Sequence, residues 1–262
     1  MSVGQIVGSK KDGVAQLLFD NEARRNAISI AMSQQAAELL EQYAADPEVR
    51  LLVIAGAGDK SFVSGADISE FEKTRSDPQT AAHYSLVSSR MYNLVHDFPK
   101  PTIAKIRGFC FGGGLGLAAA CDLRFASDDS LFSIPAARLG IAYRVDFIAW
   151  LNAIVGAARV REILITSKRY SAIEAASFGL VHQVAPVAEF EKAFADYIAP
   201  MAENAPLSMA ASKQMINEIA DPLKPVDREK CKALSEACLA SDDYREGRRA
   251  FMEKRKPIFK GR

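Results

Sequence analysis

The residues of this sequence that could do chemistry are mostly backbone. In Gly108-Phe109-Cys110-Phe111-Gly112-Gly113-Gly114-Leu115-Gly116 a strand-like run gives way to an Ala/Leu-rich, helix-like one. Glycines at such a junction permit positive φ and let another group approach the chain closely. The free amides of the first helical turn carry partial positive charge. They can hold an anionic oxygen, such as a thioester carbonyl becoming an enolate. One donor is rarely enough. A second segment, Ser61-Phe62-Val63-Ser64-Gly65-Ala66-Asp67-Ile68, begins like a strand and ends in Gly-Ala-Asp before the chain turns toward a helix, and its Ala66 amide is a candidate for the other donor. Singly, each segment reads more simply as a tight turn; together they favour the chemical reading.

The remaining polar candidates are weaker. Asp67 and Asp122 suit backbone capping, and His83, His96 and His182 have neither a carboxylate nor a second histidine at ligand spacing. Cys110, Cys121, Cys231 and Cys238 form no Cys-x-x-Cys pair, which predicts buried free thiols and no metal site.

The elements that must position the glycine segments alternate in type. Val14-Ala15-Gln16-Leu17-Leu18-Phe19 and Leu51-Leu52-Val53-Ile54-Ala55 read as buried strands, closed by Asp20-Asn21 and Gly56-Ala57-Gly58. Between them the spacing predicts a helix over 28–44, capped by Ser29 and ended by Asp46-Pro47. A second unit follows Pro99-Lys100-Pro101: the strand-like Thr102-Ile103-Ala104-Lys105-Ile106, the glycine segment with its helix, and Leu123-Arg124-Phe125-Ala126. From Phe147 onward strand signals become scarce. Helix signals take over, with a Ser171/Glu174 capping box, Pro206 at a helix start, and amphipathic stretches at 189–203, 207–219 and 227–255. The class is α/β with a change of packing near 195–205, without a linker or a fixed-period repeat.

Composition bounds the partners. Over 262 residues, 33 Lys+Arg stand against 32 Asp+Glu, so no global field exists to hold nucleic acid or an anionic membrane. Hydrophobic residues at 49% and charged residues at 25% exclude a disordered, collagenous or coiled-coil chain. The apolar segment 147–158 is interrupted by Asn152 and too short to span a bilayer. Met1-Ser2-Val3-Gly4-Gln5 has neither a basic region nor a long apolar stretch, so a cytoplasmic location is expected.

Over nearly its whole length the sequence resembles the crotonase family, also called the enoyl-CoA hydratase/isomerase superfamily. The resemblance rests on Asn26-Ala27, Phe62-Val63-Ser64-Gly65-Ala66-Asp67-Ile68, residues 101–114, Ala120-Cys121-Asp122-Leu123-Arg124, Arg138-Leu139-Gly140, and residues 175–184 and 247–260, in order and at family-like spacing. It implies a spiral of ββα units over 1–200 that binds CoA. A C-terminal helical region over 201–262 would serve oligomerisation, as a homotrimer or a dimer of trimers. It also implies an acyl-CoA substrate, with no cofactor beyond the CoA moiety. Carried over, Ala66 and Gly113 match the two amides of an oxyanion hole. Arg24, Ser64 and Ile68 match positions lining the CoA channel, and Phe251 and Lys254 match a C-terminal helix reaching the nucleotide end. Cation and aromatic suit phosphate and adenine, although solvated surface for Arg24 and Lys254 and core packing for Phe251 are the plain alternatives.

The departures from the family are as informative. Where family hydratases carry two glutamates, this chain has Gly116 and Ala136, and neither can transfer a proton. A third position, used as a carboxylate by some isomerases and dehalogenases, is Arg144, with Asp146 two residues on. The run Leu139-Gly140-Ile141-Ala142-Tyr143-Arg144-Val145 resembles that of family decarboxylases, which have a tyrosine where Tyr143 sits. Loss of CO₂ from a malonyl-type thioester creates the enolate that two amides stabilise, leaving Tyr143 or Arg144 to orient the carboxylate. A half-buried aromatic and a surface arginine are the bland alternatives, and Asp146 has the alternative role of a first-turn carboxylate. The functional expectation is an enolate-stabilising acyl-CoA enzyme. Its rivals are a catalytically silent acyl-CoA binder and a hydratase with a displaced acid/base. Acyl specificity is expected from a helix over 70–95 and from residues 143–147.

Overall fold

The computed structural model describes residues 4–70, 77–220 and 225–262. Among the described residues ten strands run in chain order: β1 (Gln5–Lys11), β2 (Val14–Asp20), β3 (Leu51–Gly56), β4 (Ser61–Val63), β5 (Thr102–Ile106), β6 (Phe109–Phe111), β7 (Leu123–Ser127), β8 (Leu131–Ser133), β9 (Tyr170–Ser171) and β10 (Gln183–Ala185). The helices among the described residues are α1 (Ile30–Ala45), α2 (Pro78–His96), α3 (Gly113–Ala120), α4 (Val145–Thr166), α5 (Ala172–Ser177), α6 (Phe190–Glu203), α7 (Pro206–Ala220), α8 (Arg228–Ala240) and α9 (Asp242–Met252).

Two sheets result, and the chain alternates between them. The larger has the order β1-β2-β3-β5-β7-β10 and the smaller β4-β6-β8-β9. Each successive pair, β3/β4, β5/β6 and β7/β8, gives its first strand to the larger sheet and its second to the smaller before a helix follows. This is the ββα spiral expected from the resemblance. Apart from antiparallel β1 on β2 and β9 on β8, the pairings are parallel.

β3 shows why the larger sheet can sit in the middle. Alternate residues of a strand face opposite sides. Leu52 and Ile54 enter the main core with α1 to α4, while Leu51 and Val53 enter a second cluster against Phe190 and Phe194 of α6. A parallel strand buried on both faces reads as a continuous apolar run, and β3 does. The α1 cap is as expected, since the Ser29 side chain accepts from the Met32 amide. The Ser171/Glu174 capping box of α5 is complete. Arg50, just before β3, donates to the Ala202 carbonyl at 2.9 Å and the Phe259 carbonyl at 2.5 Å, fastening the C-terminal segment to the sheet.

The stretch after Phe147 is mostly helical as expected; among the described residues it adds β9 and β10, which at two and three residues are too short to carry a period-two pattern. Other expectations are corrected. The amphipathic run at 227–255 is two helices, because Ser241 caps a new one by accepting from the Tyr244 amide. The helix expected over 70–95 starts at Pro78; residues 71–76 lie outside the described residues, as do Met1, Ser2 and Val3 of the opening segment. Cys110 and Cys121 are buried free thiols, and burial pushes the Cys121 thiol up to about 12; Cys231 and Cys238 are free but only partly buried on the amphipathic α8.

Candidate active site

The two glycine segments meet at one place. Gly112 caps α3 with φ of 51°, a left-handed value that suits glycine. Gly114 packs so closely that a Cβ there would lie 2.0 Å from the Val63 carbonyl oxygen. That approach brings Gly113 against the Gly65–Ala66 turn: a Cβ on Gly113 would lie 3.6 Å from the Ala66 nitrogen, and one on Gly65 would lie 3.4 Å from the Gly113 nitrogen. The two amides thus border one small space, which the end of the Tyr92 side chain also approaches. Among the described residues, neither N–H is spent in the backbone hydrogen bonds of turns and loops.

The turn is held from behind. Asn26, 1% exposed, donates to the Ala57 carbonyl at 2.9 Å and the Ser61 carbonyl at 2.7 Å. The Ile28 amide bonds the Gly65 carbonyl at 2.8 Å and the Asp67 amide bonds the Ile28 carbonyl at 2.9 Å, so both neighbours of the Ala66 amide are fixed. Sequence reasoning gave Asn26 no role. Its signal was the need for polar backing behind a glycine turn, which no local pattern displays.

Arg24, Ser64 and Ile68 are brought together beside this turn. Ser64 Oγ donates to the Arg24 carbonyl at 3.3 Å, and the Arg24 guanidinium pairs with the buried Asp67 carboxylate and donates to Ser69 Oγ at 2.5 Å. Burial alone would raise the Asp67 carboxyl, but hydrogen bonds from Ser69 and Arg24 override it and hold the group below the ordinary carboxylate range. Ile68 is 58% exposed. Phe251, 82% exposed, lies on α9 and lines a groove of about 540 Å³ with Leu239, Tyr244, Arg248 and Phe259; Lys254 follows that helix with φ of 53°.

The opposite side of the amide pair is aromatic. A Cβ on Gly116 would lie 2.6 Å from the Phe147 ring, so the space a side chain would need is already filled. Phe147 packs edge-on to Tyr92 with centroids 4.5 Å apart and contacts Tyr143 at 5.3 Å and Trp150 at 5.6 Å. Ala136 is partly buried against the same core. The sequence puts Tyr143 where a departing carboxylate would lean; in the structure its hydroxyl donates to the Gly112 carbonyl at 2.8 Å, behind the turn that presents the Gly113 amide. Burial pushes the Tyr143 phenol well above its ordinary value. Arg144 is partly buried and held on several sides: its guanidinium lies 5.0 Å over Phe147 and donates to Ser89 Oγ at 2.6 Å and to Asp146 at 3.0 Å. Asp146, in the first turn of α4, is therefore charge-paired.

Asp122 accepts from the Thr102 amide at 2.7 Å, a backbone role as expected, while His182 Nδ1 accepts from the Arg124 amide at 3.2 Å, a backbone role not foreseen for it. Among the described residues no group of three or more His, Cys, Asp or Glu could hold a metal ion, and no helix is long and apolar enough to cross a membrane.

A family model described as enoyl-CoA hydratase/isomerase matches residues 9–262. The chain is 31% identical over 265 aligned positions to a crotonyl-CoA hydratase of Syntrophomonas wolfei, covering 99% of this chain and 99% of that protein. It is 32% identical over 261 positions to a carnitinyl-CoA dehydratase of Escherichia coli K12, covering 97% of each. The solved structure of an enoyl-CoA hydratase/carnithine racemase from Magnetospirillum magneticum superposes with a TM-score of 0.93 at 32% identity, over 100% of this chain and 97% of that one.

Proposed function

We propose, for a chain that belongs to the enoyl-CoA hydratase/isomerase family, that the Ala66 and Gly113 amides form the oxyanion hole of an acyl-CoA-transforming enzyme working through a thioester enolate without a glutamate pair. The observation that carries this reading is the Phe147 ring in the side-chain space of Gly116. It leaves charge stabilisation intact while removing the room for one of the two hydration carboxylates.

Decarboxylation fits best. The bond from the α-carbon to a carboxylate breaks, its electron pair passes into the enolate as CO₂ leaves, and a proton then adds at the α-carbon. No base has to remove a proton first. Isomerisation needs a group that takes a proton and returns it, and Asp146, the nearest carboxylate in sequence to the loop after Gly140, is held by Arg144 at 3.0 Å. Tyr143, engaged at Gly112, is assigned to positioning the turn. Arg24, Ser64 and Ile68 would line the CoA channel, and Phe251 and Lys254 its nucleotide end. CoA would be the only cofactor-like group required. The 201–262 helices would assemble a homotrimer or a dimer of trimers in the cytoplasm.

The test supplies one malonyl-type and one short enoyl thioester to the purified protein and reads products by mass. Loss of CO₂ from the first, with hydration of the second weak or undetectable, is the expected result. Rapid hydration would overturn the reading. Tight binding of thioesters with turnover of none would establish the catalytically silent alternative.

A further inference from the structure

The residue least explained by what precedes is Tyr92 of α2. Its neighbours on the helix, Met91 and Val95, are core, and Tyr92 is itself only 3% exposed. A tyrosine so placed normally satisfies its hydroxyl with a protein partner. Here the ring packs edge-on to Phe147 at 4.5 Å and under the Arg144 guanidinium at 5.7 Å, yet among the described residues no protein group hydrogen-bonds the hydroxyl. Nor is that oxygen sealed away from solvent-sized space, as the Tyr170 hydroxyl is.

Its position gives the reason. A Cβ on Gly113 would lie 2.8 Å from the Tyr92 hydroxyl and 3.6 Å from the Ala66 nitrogen. The phenol and the two amides therefore border the same opening, reached from three directions: α2, the start of α3, and the Gly65–Ala66 turn. We propose that Tyr92 is a catalytic residue, donating a third hydrogen bond to the thioester oxygen as negative charge develops there. This rests on the oxyanion-hole reading above and adds a side-chain donor to it. Burial keeps the phenol above its ordinary value, so it stays protonated and able to donate across the neutral range. Packing by Phe147 fixes the ring, which spares the donor any reorganisation during reaction.

The test uses acetyl-CoA carrying ¹³C at the thioester carbonyl, bound to the whole protein, with the carbonyl stretch read by infrared difference spectroscopy. Wild type is expected to shift the stretch to lower frequency. Tyr92→Phe should bind acetyl-CoA within about twofold of wild type but lose part of that shift, and turnover of the accepted substrate should fall roughly 10–100-fold, as for loss of one hydrogen bond to a charged group. A ring-fluorinated tyrosine at the same position, a stronger donor of nearly the same shape, should enlarge the shift. Since it retains the packing, it decides the matter even if the phenylalanine variant folds poorly. A wild-type shift in both variants overturns the proposal for Tyr92 alone. No shift in wild type itself overturns the oxyanion-hole reading as well.

Discussion

Two edges of one cleft are built on opposite principles. The edge formed by Gly65, Ala66 and Gly113 is backbone, kept open because side chains are absent, and it contains no titratable group. The facing edge, Phe147 with Tyr92 and Tyr143, is made of rings packed to within 4.5–5.3 Å. The first is what a developing negative charge needs: fixed dipoles in a site that does not rearrange. The second, through the Phe147 ring, fills the side-chain space at Gly116. The two edges can vary independently, because they reside on different elements with different packing demands.

The contrast can be broken most severely at the amide edge. Gly113→Val should lower turnover by at least about 10²-fold, the usual cost of an oxyanion-hole donor, with thermal stability largely kept. The Cβ at 113 meets only one contact inside 3.0 Å, the end of the Tyr92 side chain. Gly114→Ala next door should instead compromise folding, since its Cβ would lie 2.0 Å from a backbone carbonyl. Kinetics paired with a melting curve for each variant would check this, and unimpaired turnover in Gly113→Val would remove the amide edge from the mechanism.

Tyr143→Phe should have a smaller effect. It removes the bond to the Gly112 carbonyl, which still receives the Leu115 and Gly116 amides at 3.0 and 3.1 Å. A stability cost of about 0.5–1.5 kcal/mol and a several-fold loss in turnover are expected, read by denaturant titration and steady-state rates. Full activity would reduce Tyr143 to scaffold.

The smallest effect sharpens the contrast through pH. Burial holds the Tyr92 and Tyr143 phenols above the ordinary value of 10.0. Below that value they are protonated in folded and unfolded chains alike and contribute no pH dependence. Above it the unfolded chain releases protons that the folded one retains, so stability falls as pH rises. Urea midpoints between about pH 9 and about pH 11 should decline in wild type and less steeply in Tyr143→Phe. Equal slopes would mean that the aromatic edge is wetter than its packing indicates.

Much of this was legible in the sequence, and the boundary has physical causes. The strand-helix alternation, the Ser29 cap and the glycine junctions are local in origin, and local patterns display them. Ala66 and Gly113 lie 47 residues apart, so the glycine segments could suggest the pairing but no local pattern could establish that they converge. Tyr92 was invisible for a different reason: on a helix with Met91 and Val95 its ring reads as core, and it is core. Only the endpoint of its hydroxyl separates it from packing, and no periodicity encodes that. The roles of Tyr143 and Asp146 depended on partners, Gly112 and Arg144, which three-dimensional packing chose.

The contact between Gly116 and Phe147 also constrains which substitutions this chain can accept. A glutamate arriving alone at 116 would drive a charged side chain into a ring 2.6 Å from its Cβ, combining overpacking with a buried charge. Truncating Phe147 alone would empty a tightly packed site at a cost of about 3–5 kcal/mol. Only both changes together give the carboxylate somewhere to stand, and residues in contact are where single effects do not add. The two positions are therefore coupled: a glutamate at 116 and a smaller residue at 147 would be accepted together far more readily than either alone.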